Sequence, residues 1–387
     1  MKNNKKKTDF LCPVAGKCGG CQLQNMTYDR QKAFKQASVV KLFGRYCTVA
    51  PIEGMKNPYH YRNKVSAAFG TTRSGMIISG VYQSSTHNIV KIDSCLLEDE
   101  TADSIIVTIR QLLKDFKLTA YNEHTEKGFL RHVLIRRGFA TDEVMVVMVT
   151  STPVFPGKNH FIEKLISIHP EITTIVQNIN NKFTSMVLGD AQKILYGNGY
   201  IEDILCGKRF RISPKSFYQI NPVQTEKLYN CAIHLAGLTG NETVIDAYCG
   251  IGTIGIAASD KAKTVIGTEI NKDAVKDAIV NSKLNNIKNA RFFAVDAGEF
   301  MQNLASDGEK IDVLFTDPPR AGCSREFLDA AIALSPEKIV YISCNIETQA
   351  RDVHHLVKNG YKVKACRPFD MFPHTRHIEN IILLTKN

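Results

Sequence analysis

From about residue 210 onward the chain repeats one pattern, a short β-branched apolar run followed by a stretch of helix length. The runs are TVIDAYCG, KTVIGTEI, ARFFAVDA, IDVLFTDPP, KIVYISCN and IILLTKN. Strands alternating with helical stretches specify an α/β fold around a doubly wound, mostly parallel sheet whose strands are buried on both faces. Such sheets place ligands beyond the carboxyl ends of their strands. Cys344 falls at one of those ends, directly after the apolar run KIVYIS. A thiol there is a candidate nucleophile. The ordinary alternative is a small buried apolar residue, which is what most free cysteines are.

The first half has a different texture. Alternating runs such as KVSAAFG and DEVMVVMVTS mix with amphipathic stretches such as TADSIIVTIRQLLKDF, a composition of strands and helices that reads as α+β. We therefore expect two domains, 1–205 and 206–387. The helical stretch TYDRQKAFKQASVVKLFG lies within residues 24–55, which have the option of packing on the second domain. No internal repeat is present. No apolar window approaches the roughly 20 residues of a membrane span, and the basic start MKNNKKKTDF is not followed by an apolar region. The expectation is a cytoplasmic chain with no membrane association, monomeric by default. Eleven cysteines, an odd count without a secretory signal, favour reduced thiols in metal or catalytic roles.

The run VIDAYCGIGTIG places Gly250, Gly252 and Gly255 after a strand and before a helix, so a cofactor can approach the backbone closely. Glu269, ending the next strand, can accept the two hydroxyls of a ribose. A nicotinamide dinucleotide fits that much. Two features tilt the choice toward S-adenosylmethionine. Asp246 sets a negative charge where a pyrophosphate would be repelled and an ammonium or sulfonium welcomed. The stiff acid-proline loop FTDPPR then leaves Asp317 facing a ligand.

The net charge of +11 suits a polyanionic partner. Basic runs YRNK, FLRHVLIRRG and CGKRFRIS are candidate phosphate contacts, or merely solvated faces. The segment CPVAGKCGGCQLQ holds Cys12, Cys18 and Cys21 in a C-x5-C-x2-C spacing, with glycines that let the chain wrap a centre, and Cys95 in KIDSCLLED is the natural fourth. Zinc and iron-sulfur clusters both accept four thiolates.

Taken in order, SFYQIN, DAYCGIGT, TDPPRAG, YISCN and FPHTRHIEN resemble the RNA uracil-5-methyltransferase family over nearly the whole chain. The resemblance implies a Rossmann-like class I methyltransferase domain, S-adenosylmethionine as donor and a uridine in structured RNA as acceptor. By it, Gln219, Tyr248, Thr253, Glu269, Asp296 and Asp317 contact the cofactor, together with the Gly250 turn. The family often has phenylalanine at the Tyr248 position and asparagine at the Thr253 position. Carbon 5 of uracil is a poor nucleophile until a thiolate adds to carbon 6, and Cys344 is the residue for that step. Glu379 matches the family's base, which removes the carbon-5 proton. Arg320, His374 and Arg376 are candidates for lowering the thiol pKa.

The cysteine pattern resembles the family's [4Fe-4S] site, which makes a central α+β iron-sulfur and RNA-binding domain the expectation for the first half. It resembles the ribosomal RNA enzymes more than the tRNA enzyme, so 23S rRNA is the expected substrate and the tRNA T-loop the alternative. Eleven residues precede Cys12, short of the β-barrel with which relatives often begin. RNA recognition is then expected from the central domain and the lysine-rich start. Other readings are a methyltransferase acting on a base amino group or a protein, an inactive RNA-binding module, and a nicotinamide oxidoreductase.

Overall fold

A computed structural model describes residues 12–84, 86–123 and 125–386. The lysine-rich start lies outside the described residues. The chain forms two compact units. The first comprises the described residues up to Thr27, Asn57–Asp203 and Ser213–Lys215; the second comprises Tyr28–Lys56, Ile204–Ile212 and the chain from Ser216 onward. The single division at 205/206 expected from texture is thus a discontinuous one.

In the first unit, helix α1 (Ala15–Cys18) precedes a sheet built from β1 (Lys64–Thr71), β2 (Ile77–Tyr82), β3 (Ile89–Lys91), β4 (Leu130–Arg137), β5 (Val144–Thr150), β6 (Ile172–Ile179) and β7 (Ala191–Tyr196), in the order β3-β2-β1-β4-β5-β6-β7. Two longer helices belong to this unit, α3 (Glu100–Asp115) and α4 (Lys158–Ile168), and α3 begins where Asp99 accepts a hydrogen bond from the Ala102 amide at 3.0 Å. Its Ile105, Ile109, Leu112 and Leu113 recur at helical spacing and bury against Val65, Val133 and Val146 of the sheet.

Strand β4, centred between β1 and β5, overturns the basic face read from FLRHVLIRRG. Arg131, His132 and Arg136 are all buried. Arg131 instead donates to the carbonyls of Asn180 and Lys182 at 2.9 and 2.7 Å, and Arg137 at the strand's end pairs with Asp99 and Asp142. A central strand covered on both faces admits a guanidinium only where protein acceptors replace water.

Strand β8 (Ile201–Leu205) begins in the first unit and runs into the second, which holds α2 (Tyr28–Phe43), β9 (Lys208–Ile212) and α5 (Pro222–Ala236). Then come β10 (Thr243–Ala247), α6 (Thr253–Ala258), β11 (Thr264–Glu269), α7 (Lys272–Leu284), β12 (Ala290–Ala294), α8 (Ala297–Ser306), β13 (Val313–Thr316), α9 (Arg325–Leu334), β14 (Lys338–Ser343), α10 (Ile346–Lys358), β15 (Tyr361–Phe369) and β16 (Glu379–Lys386). The strand order is β12-β11-β10-β13-β14-β16-β15. Strands β10 to β14 run parallel, and β16 lies antiparallel between β14 and β15. The six runs read from the sequence are all in this sheet. Winding reverses between β10 and β13, which opens a crevice beyond their carboxyl ends.

Helix α2 belongs to this unit because its inner face is completed here. Val39 and Phe43 are fully buried in the core that also holds Tyr341 and Ile382. Lys35 donates to Asp370 at 2.5 Å and to the Phe372 carbonyl at 3.1 Å, and neither charged side chain is exposed.

Candidate active site

The chain leaving β10 turns through the left-handed region at Tyr248 (φ 62°), Gly250 (56°) and Gly252 (85°), which aims α6 back at the sheet. Asp246 is buried, and its Oδ2 accepts from the Gly255 amide at 2.7 Å. A side chain at Gly255 would stand 2.9 Å from Val265 and 3.0 Å from that carboxylate, so glycine alone permits the close approach. Glu269, ending β11, accepts from the amides of Gly250 at 3.2 Å and Asn271 at 2.8 Å. Asp296 caps α8 through the amides of Gly298 and Glu299. Thr253 opens α6 with its hydroxyl 3.3 Å from that of Tyr229, and the Tyr248 ring packs on Phe327 with centroids 5.2 Å apart. Gln219 is buried just before Asn221, which caps α5. Gly250, Tyr248, Thr253, Glu269, Asp296 and Asp317 therefore all follow or end strands on the carboxyl side of the sheet.

The Asp246 carboxyl is pushed up to about 7, chiefly by burial and further by Asp317 and Glu269. Its Oδ1 is buried without a hydrogen-bond partner among the described residues. Burial likewise pushes Asp317 up to about 7. A ligand carrying ammonium and sulfonium groups would relieve both costs, since an opposite charge favours the ionised form.

Cys344 is half-buried in the link from β14 to α10 and lines a cavity with Arg320, Asn345, Glu347, Arg376 and His377. Its thiol is pushed up to about 11, first by burial and then by the carboxyls of Glu379 and Asp317, while a hydrogen bond and the charge of Arg320 pull it down. Glu379, the first residue of β16, lies fully buried opposite Phe369 of β15. Burial, then Asp317, holds its carboxyl well above the ordinary range, with Arg320 opposing. Cys344, Glu379, Asp317 and Arg320 are thus electrostatic neighbours, brought together from three strand ends. Arg376 shares the thiol's cavity. His374 does not line it: its Nδ1 is 3.2 Å from Gln31 and its amide donates to the same side chain at 2.9 Å, so it fastens α2.

The loop carrying Arg320 is gripped by α10, an arrangement with no signal in local sequence. Asn345 caps the helix and donates to the Arg320 carbonyl at 3.0 Å, with the Thr348 hydroxyl 3.2 Å from the same oxygen. One turn on, Arg351 donates to the carbonyls of Ala321 and Cys323 at 3.0 and 3.2 Å. The buried Asp352 accepts from the Cys323 amide at 2.8 Å and the Tyr341 hydroxyl at 2.6 Å. Phe217, within the SFYQIN motif but not singled out from it, is 68% exposed. An apolar ring held so far into water is the one signal that could have marked it.

In the first unit, Cys12, Cys18, Cys21 and Cys95 line one cavity. The Cys21 thiol is pushed up to about 11 and that of Cys95 to about 12, both chiefly by burial. The donor set is four soft sulfurs around a common space, which suits a thiolate-bound metal group in chemistry. Among the described residues, however, no group of three or more His, Cys, Asp or Glu stands close enough to hold a metal ion. Likewise, among the described residues no helix is long and apolar enough to cross a membrane.

The model of the tRNA (uracil-5-)-methyltransferase family matches residues 168–387. An uncharacterized RNA methyltransferase of Bacillus cereus is 42% identical over 385 residues, covering 98% of this chain and 84% of that protein. Another, of Clostridium acetobutylicum, is 40% identical over 393 residues, covering 100% of this chain and 85% of its own length. The crystal structure of Pyrococcus abyssi tRNA (uracil-54, C5)-methyltransferase with S-adenosyl-L-homocysteine superposes with a TM-score of 0.79 at 28% identity, covering 95% of this chain and 86% of that one. A class I methyltransferase fold, strand ends arranged for S-adenosylmethionine, and relatives that span its length lead to one conclusion: the chain belongs to the S-adenosylmethionine-dependent RNA uracil-5-methyltransferase family.

Proposed function

We propose that the chain methylates carbon 5 of one uridine in structured RNA through a covalent adduct on Cys344. The observation that carries this is the grouping of a half-buried thiol with Arg320, Glu379 and Asp317 at the carboxyl edge of the sheet. S-adenosylmethionine supplies a methyl group on a positively charged sulfur. Arg320 stabilises the thiolate of Cys344, whose sulfur forms a bond to carbon 6 of the uracil ring and drives its electron pair toward carbon 5. After carbon 5 has taken the methyl group, Glu379 accepts the proton left there, and the electron pair of that C–H bond expels the thiolate. A base that takes this proton must be ionised at that moment, and Arg320 is the group that opposes burial in favour of that form. Gln219, Tyr248, Gly250, Thr253, Glu269, Asp296 and Asp317 hold the cofactor in this reading. The ring must leave its stack to meet the thiol on one face, so the substrate is a splayed or flipped nucleotide.

We further infer that Cys12, Cys18, Cys21 and Cys95 hold a [4Fe-4S] cluster. Their shared cavity and all-sulfur donor set support it, with a structural role for the cluster, since four thiolates leave no iron position for substrate. The cysteine pattern favours 23S rRNA as substrate. The Pyrococcus relative, which acts on tRNA uracil-54, favours a T-loop as the second reading.

The test uses transcripts of 23S rRNA domains and of tRNA in which 5-fluorouridine replaces uridine, incubated with the protein and S-adenosylmethionine. Fluorine cannot leave as a proton, so the cycle stalls as a denaturation-resistant adduct, which Cys344→Ala abolishes. An adduct on rRNA alone supports the first substrate and one on tRNA alone the second. No adduct on either, with cofactor still bound, overturns the mechanism.

A further inference from the structure

Residues 180–190, joining β6 to β7 in the first unit, are braced far more heavily than a surface connection needs. Two asparagines form the floor. Asn178 donates to the Gly189 carbonyl at 3.1 Å and accepts from its amide at 2.7 Å. Asn180 donates to the carbonyls of Met186 and Val187 at 2.7 and 3.1 Å. Both are buried, so these bonds replace water for groups that would otherwise be unsatisfied. Arg131 reaches from β4 to the carbonyls of Asn180 and Lys182, and Lys182 closes the loop on Asp190 at 2.8 Å. A side chain at Gly189 would stand 2.0 Å from the Ile179 carbonyl oxygen, so only glycine fits there. This fixed backbone holds Phe183 at 78% exposure and Met186 at 68%.

An apolar side chain in water is unremarkable singly, but an aromatic ring on a braced loop is a binding surface whose ordering entropy is already met. The family acts on RNA, and unpaired RNA bases are recognised by stacking on aromatic rings beside lysines that follow the backbone. Exposed Lys193 lies on the adjoining strand β7, and exposed Lys215 brings its ammonium 3.5 Å from the Asp190 carbonyl. An exposed ring on the loop, with lysines at its Asp190 end and on the strand that follows it, fits a nucleic acid better than an apolar protein surface. We propose that the 180–190 loop is an RNA stacking platform, on which Phe183 receives an unpaired base of the substrate other than the target uridine while Lys193 and Lys215 meet neighbouring phosphates. Arg131 then serves RNA indirectly, by bracing the platform.

The experiment measures binding of labelled 23S rRNA and tRNA transcripts to the full chain by filter retention across a salt series. Because Phe183 is exposed, its variants leave the fold intact, which unchanged thermal melting and S-adenosylmethionine affinity verify. Phe183→Ala is expected to weaken binding of the preferred RNA about 10-fold, with its salt slope unchanged. Phe183→Trp restores affinity and Phe183→Leu does not, because stacking needs a π face. The pair Lys193→Ala and Lys215→Ala lowers the salt slope instead. Wild-type binding by Phe183→Ala overturns the proposal. So does rescue by Phe183→Leu, which would mark a plain apolar contact, and so does a dimer in sedimentation that Phe183→Ala dissolves, which would give the patch to a second copy.

Discussion

Asp246 and Asp317 lie at the carboxyl ends of β10 and β13 with their carboxyls pushed up to about 7, the first by burial and its acidic neighbours, the second by burial. A cationic cofactor lowers both values, so at pH 7 part of their bound protons leave when it docks. The sign follows: S-adenosylmethionine affinity rises from about pH 6 to pH 8 and levels off above, where both groups are already ionised. Calorimetry in two buffers of different ionisation enthalpy reads the released protons directly, and equal heats in both would sink the assignment. These carboxylates were legible in the sequence because each sits within a few residues of its own strand end. Which cation serves Cys344 was not. Arg320, His374 and Arg376 stand in similar motifs, and only the packing of Gln31 onto His374 takes the imidazole out of contention.

At the level of elements, the buried pair of Lys35 and Asp370 fastens α2 to the end of β15. Removing one partner leaves a charge in a site without water, so Lys35→Met is expected to destabilise by about 3–5 kcal/mol, whereas Lys35→Met with Asp370→Leu recovers much of the loss. Urea unfolding followed by circular dichroism checks both, and a single variant as stable as the parent would contradict the account. Helix α2 was readable as a helix, but its address stood only as one option, since the partner of Lys35 lies 335 positions away. Strand β15 escaped the sequence reading because exposed Lys362, Lys364 and Arg367 break its apolar run, as suits an edge strand. Strand β4 misled in the opposite direction. Its arginines look like a solvent face until the acceptors at Asn180 and Lys182 are seen to meet one of them. The clasp of α10 on the Arg320 loop has the same character: Asn345, Thr348 and Asp352 share one helix side, yet nothing local names the backbone they hold.

For the whole molecule, the cysteine set yields a separable test. Anaerobic treatment with iron(III), a thiol reductant and sulfide is expected to load about four irons per chain with broad visible absorption. Cys95→Ser should abolish that loading while leaving S-adenosylmethionine affinity intact, since the cysteines and the crevice residues belong to different units. Tight zinc binding without sulfide would point to the other metal. The change of texture near residue 210 suggested two parts, and the sequence left open whether residues 24–55 pack on the second of them; the contacts place residues 28–56 in the second unit. That placement has a consequence during synthesis. Lys35, Val39 and Phe43 are made some 335 residues ahead of Asp370 and of the β15–β16 hairpin that completes their core. At roughly 5–20 residues per second, the helix waits on the order of 20 seconds to a minute for its seat. Throughout that interval the nascent chain presents an unfinished apolar face, and the second unit cannot close until β16 has been made. Chaperone engagement and premature termination are therefore where this architecture is most exposed in the cell.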